Sequence, residues 1–89
     1  MEKVKRIATA LILIYKSQER VDKVNKELSK YASAILSRQG LSLPNRNYSL
    51  ISLIIEADTN TINSLAGRIG IVEGVQIKVS MIKELNHEI

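Results

Sequence analysis

The sequence contains no cysteine, no phenylalanine and no tryptophan, and only one histidine and one proline among its 89 residues. Without cysteine there can be neither a disulfide nor a thiolate metal site. One imidazole, His87, falls short of the two or three converging ligands that a histidine metal centre requires. Three tyrosines are the whole aromatic complement, which is meagre for a surface that stacks nucleobases. No apolar run approaches the ~18 residues needed to span a bilayer. The basic start, Met-Glu-Lys-Val-Lys-Arg, precedes the apolar stretch Ile7–Ile14 as in an export signal. That stretch is short and runs into Tyr15-Lys16 with no small-residue cleavage site, so it reads as a core strand, and the protein as cytoplasmic.

What is present suits one small domain spanning residues 1–89. Hydrophobic residues make up 45% of the chain, too many for disorder. The net charge is +4, unevenly spread. Residues 1–46 carry ten Lys/Arg against four Asp/Glu, and residues 47–89 carry three against five. A basic half can attract nucleic acid, and it can equally be the solvated face of a helix.

The chain reads strand, helix, strand, strand, helix, strand. Strand 1 covers about Lys5 to Tyr15, with Ile7, Leu11, Ile12, Leu13 and Ile14. Ser17 is placed to cap a helix with Glu19 in its first turn. Val21, Val24, Leu28, Tyr31 and Ile35 form a single apolar stripe at steps of three and four. Glu19–Lys23 and Asp22–Lys26 supply ion pairs on its outer face, and Gly40 is the expected stop. Leu41 and Leu43 alternate with Ser42 as a short edge strand, ended by a turn at Pro44-Asn45-Arg46-Asn47. Strand 3 runs from Tyr48 to Ala57. Asp58 or Thr59 caps a second helix carrying Ile62, Leu65, Ala66 and Ile69, which ends at Gly70. In strand 4, Val75, Ile77, Val79 and Met81 share one face. The core spans about residues 5–83, and residues 84–89 read as a frayed tail.

This order is the α+β, ferredoxin-like βαββαβ arrangement, a four-stranded antiparallel sheet with two helices on one face. Right-handed crossovers put strands 1 and 3 at the centre. Neighbours such as Ile12 and Leu13, or Ile54 and Ile55, must then point to opposite faces. Both faces of the sheet centre are therefore apolar, and two helices can cover only one. The expected cover for the other is a second copy of the chain, packed sheet to sheet or edge to edge; the alternatives are a monomer with an exposed apolar face and cover by the C-terminal tail.

Catalytic groups are hard to find. No serine has a histidine beside it. Glu56 and Asp58 are two apart and could meet a hard cation, but capping explains Asp58 better. The loop Tyr15-Lys16-Ser17-Gln18-Glu19-Arg20 lacks the glycine of an acylphosphatase anion loop. Gly67-Arg68-Ile69-Gly70 has the form of the KH backbone clamp, yet only three residues separate Gly70 from Gly74 and no further helix follows. The structural reading is that Gly67 lets the helix pack closely on the sheet, Gly70 ends it and Gly74 turns into strand 4. The chain reads as a non-enzyme with no cofactor and no metal.

Arg38-Gln39-Gly40, Asp58 at the head of the second helix, Leu65-Ala66-Gly67-Arg68-Ile69-Gly70 and Gly74-Val75-Gln76-Ile77-Lys78 together resemble a family of small bacterial proteins, the iron-only hydrogenase system regulators. The resemblance extends over about Ile7 to Lys83. That family is similar to ACT domains and to the C-terminal domain of nickel-responsive repressors. It implies an ACT-like regulatory module that assembles side by side and binds a small effector where subunits meet, near the loop after strand 1 and the start of helix 2. Arg38, Arg68 and Lys78 are the basic candidates for an anionic effector. The partners expected are further copies of the chain and a small molecule, with no membrane and with nucleic acid as the alternative.

Overall fold

The computed structural model describes residues 4–15, 17–43 and 45–82. The elements are β1 (Arg6–Tyr15), α1 (Gln18–Ser29), a single 3₁₀ turn (Ala32–Ala34), β2 (Ile35–Leu43), β3 (Tyr48–Ala57), α2 (Thr59–Gly70) and β4 (Val75–Met81). The sheet order is β2-β3-β1-β4. Every neighbouring pair is antiparallel. This is the ferredoxin-like arrangement, with β1 and β3 central as right-handed crossovers require.

One face of the sheet carries the core. Ala8, Ala10, Ile12 and Ile14 of β1 and Ile51, Leu53, Ile55 and Ala57 of β3 are buried against Val24 and Leu28 of α1 and Ile62, Leu65 and Ile69 of α2. No polar side chain is buried with them among the described residues. Nothing in this layer therefore has to be paired to offset a desolvation cost. Both helices begin on side-chain caps. Ser17 Oγ accepts from the Arg20 amide at 3.1 Å, and Asp58 Oδ1 accepts from the Thr61 amide at 3.2 Å. Each satisfies one of the amides that a first helical turn leaves unpaired.

The first helix is shorter than its apolar periodicity indicates. It stops at Ser29, whose hydroxyl donates to the Lys26 carbonyl at 2.7 Å. The stripe from Tyr31 to Ile35 leaves the helix, Gly40 lies inside β2 opposite Ile51, and β2 has nine residues. The reason is tertiary. A ten-residue β3 beside a three-residue partner would leave most of its outer backbone groups unpaired. Extending β2 back to Ile35 pairs all but the last two residues of β3. Serines 29, 33 and 37 ease the change, because their hydroxyls compete with helical hydrogen bonding. A register irregularity between Ile35 and Ser37 leaves Leu36 exposed.

The expected turn into β3 is present at Asn45–Asn47, with Asn47 in the left-handed region at φ 56°. Pro44, the tail from residue 84 and His87 lie outside the described residues. Gly74, at φ 78°, makes the turn into β4, and the Arg20 guanidinium lies against it. Arg20 ties the two loops at this end. Its Nε donates to the Glu73 carbonyl at 2.8 Å, its Nη1 donates to the Tyr15 carbonyl at 3.4 Å, and its charge sits 5.5 Å from the Tyr15 ring centroid.

Gly67 does not serve close packing. A Cβ built there meets nothing within 4 Å, and the residue is an exposed interior position of α2. Gly67→Ala should therefore stabilise the protein by about 0.5–1 kcal/mol, through the restricted unfolded chain alone. Chemical denaturation would show this as a higher midpoint with an unchanged slope. A loss of stability would mean that the glycine is needed for a contact.

Candidate functional site

No described helix lies on the second face of the sheet. Leu11 and Leu13 of β1, Leu50 and Ile54 of β3 and Leu41 of β2 lie on it, following the alternation of the strands and the register. Leu11 is 49% exposed, Leu41 59% and Ile54 42%. Together they form an apolar patch across the two central strands and one edge. Covering them would recover roughly 1 kcal/mol each from the area still in contact with water. The patch has polar borders. Gln39, Ser37, Thr9, Gln76 and Ser80 border it, Ser52 interrupts it between Leu50 and Ile54, and Lys78 faces Leu11 across the β1–β4 ladder. One end is closed by Tyr15 and Tyr48, cross-strand partners in edge-to-face contact with centroids 5.7 Å apart. Between Leu11, Gln39, Gly40, Leu41, Leu50 and Ser52 the face dips into a shallow hollow of about 270 Å³.

The three basic candidates occupy three different surfaces. Lys78 is on the open face. Arg38 is on the helix side of the edge strand β2, opposite Leu53, and its guanidinium donates to Asn25 Oδ1 of α1. Beside it a groove of about 340 Å³ runs between α1 and β2, with Ser42 and Ser49 on its walls. Arg68 stands in the last turn of α2. It faces Lys23, Lys26 and Lys30 of α1 across an open groove of about 540 Å³. The lysines escaped notice in the sequence because they read as a solvated helix face. Their spacing of three and four is the signal that could have marked them.

The loop after β1 and the start of α2 do not adjoin. Tyr15 pairs with Tyr48 and Arg6 with Ala57, so the two lie at opposite ends of β1, about 30 Å apart at the rise of an extended strand. A site using both has to draw them from different copies. Asp58 acts as a helix cap, and among the described residues no three His, Cys, Asp or Glu side chains gather as a metal cluster would. No described helix is long and apolar enough to cross a membrane.

The model of the TM1266-like family, described as "Iron-only hydrogenase system regulator, putative", matches residues 6–79. The chain belongs to this family. The solved structure of TM1266 from Thermotoga maritima, called an uncharacterized protein, superposes on this TM1266-like chain with a TM-score of 0.87 at 29% identity, covering 89% of this chain and 99% of the other. The ACT domain from GTP pyrophosphokinase of Chlorobium tepidum superposes at 0.74 and 15% identity, over 86% of this chain and all of the domain. At that identity the likeness shows the ACT-like fold alone. A designed protein, Foldit4, shares the fold more distantly, with a TM-score of 0.55 at 11% identity. No curated protein matches the chain.

Proposed function

We propose that this TM1266-like protein is a non-catalytic, cytoplasmic regulatory module, a single domain that works as a homo-oligomer and takes a small effector where its copies meet. The observation that supports this most is the apolar patch of Leu11, Leu13, Leu41, Leu50 and Ile54 on the uncovered sheet face. Both helices are committed to the opposite face, so the patch is best covered by a second copy presenting the same surface about a two-fold axis. Lys78 would then lie at the seam, placed to hold an anionic group of the effector, whereas Arg38, on the helix side of β2, would lie away from it. Regulation within an iron-only hydrogenase system is the context that the family description supports.

Sedimentation of the purified chain should show a dimer or larger species at micromolar concentration, and a stable monomer there would overturn the self-association. Effector binding is read by thermal shift. A ligand at a hundred times its dissociation constant adds about 2.7 kcal/mol of stability. No shift with any amino acid, nucleotide or transition metal would remove the effector.

The nucleic-acid alternative rests on the basic first half, much of which is engaged within the fold. Lys23 lies 3.9 Å from Glu19 and Lys30 lies 3.3 Å from Glu27. Arg20 and Arg38 are hydrogen-bonded as described above. Asp22 takes a hydrogen bond from Gln18 at 2.9 Å. Binding that falls steeply with salt would support this alternative, and no binding at low salt would exclude it.

A further inference from the structure

The groove between the helices differs in character from the sheet face. One wall is α1 with Lys23, Lys26 and Lys30. The other is the end of α2 and its following turn, with Arg68, Ile71 and Val72. Two features coincide there. Among the described residues Lys26 and Arg68 have no carboxylate partner, so two cations face each other across open space. Ile71 is 80% exposed, an unusual position for a large aliphatic side chain, and together with Val72 it offers an apolar wall.

Cations and an apolar wall, in a concavity within the usual ~300–1,000 Å³ of a small-molecule site, define a ligand with two matching parts. We propose that this groove binds a nucleoside phosphate. Its phosphates sit between Lys26 and Arg68, and its base lies on Ile71 and Val72. The carboxylates decide against a bare polyanion. Glu27 and Glu73 also line the groove, and a nucleic-acid backbone laid along it would meet both. The site lies within one copy, on the layer opposite the sheet patch, and is independent of self-association.

The experiment uses the full chain at low salt, with ATP without divalent cations, inorganic triphosphate and adenosine as probes, read by calorimetry and thermal shift. ATP should bind, triphosphate should bind more weakly, and adenosine should bind weakly or not at all. Arg68→Gln and Lys26→Gln change exposed residues and leave the core untouched, and each should weaken ATP by about tenfold or more, the loss of a charged hydrogen bond. Ile71→Ala should weaken ATP and leave triphosphate unchanged. Ile54→Glu, on the sheet face, should leave ATP affinity unchanged even where it alters the oligomer. No ATP binding at millimolar concentration overturns the proposal. So do ATP binding that ignores Arg68→Gln, triphosphate binding as tight as ATP, and displacement of ATP by a short DNA duplex. None of these outcomes bears on the sheet-face oligomer, which sedimentation reads separately.

Discussion

Ile54→Glu is expected to convert the oligomer into a folded monomer. Ile54 sits on the uncovered face of β3, opposite Thr9 and Ser37, with no charged cross-strand neighbour to offset an introduced carboxylate. It is already 42% exposed, so a glutamate there can reach water in the monomer and the fold should survive. In a two-fold interface the substitution enters twice, and both carboxylates lose water without a partner. An unpaired buried charge costs several kcal/mol, which weakens dimerisation by about a thousandfold or more. Sedimentation velocity should show one species of monomer mass where the wild type is larger, with unchanged far-ultraviolet dichroism. Leu41→Glu tests the edge of the same patch. If it disrupts the oligomer and Ile54→Glu does not, the copies join through the β2 edge and not through the sheet face. Retention of the oligomer by both variants would refute an interface on this surface.

Leu65→Ala should be the most damaging core substitution of its size. Leu65 is fully buried on α2, within the one layer that holds helices and sheet together. Truncating a buried leucine costs about 2–5 kcal/mol, from lost transfer energy and the cavity left behind. A chain of this length has about 4–13 kcal/mol in total at ordinary per-residue stability. The variant should therefore lose from about a sixth to most of its stability and melt about 10–40 °C lower. Leu36→Ala provides the contrast. Its side chain is exposed at the β2 irregularity, and its removal should change stability by less than about 0.5 kcal/mol. Urea melts of both are best made with the Ile54→Glu substitution as background, so that association does not add to the apparent stability. A cost below about 1 kcal/mol for Leu65→Ala would mean that the helix layer is loosely packed.

Where local signals agreed with one another, the sequence was a sound guide. Tyr48–Ala57 and Val75–Met81 have the expected bounds, because turn residues frame an apolar run at each. The second helix opens on Asp58 and closes at Gly70, as its cap and stripe required. The central place of β1 and β3 followed from the element order and right-handed crossovers. The first helix was misread because Tyr31 and Ile35 continue its 3.6-residue spacing by chance. The serines at 29, 33 and 37 weaken a helix there but do not by themselves specify a strand. Gly67 was misread for a similar reason: a glycine in a helix suggests close approach, and only the surrounding atoms show that none exists.

The candidate site was legible in part. The apolar second face could be deduced, because alternation is a property of each strand by itself. The groove between the helices could not. Lys23, Lys26 and Lys30 are about forty residues from Arg68 and Ile71 in the chain, and only the antiparallel packing of α1 and α2 on one sheet brings them together. The sequence alone therefore determined the order of elements, the central strands and the composition of both sheet faces, since these depend on periods of two and 3.6 residues read along a single segment. Tertiary structure decided where α1 yields to β2, that the loop after β1 and the start of α2 lie at opposite ends, and which cations share a groove. Those outcomes depend on the pairing demands of β3 and on contacts between distant segments, which no local pattern encodes.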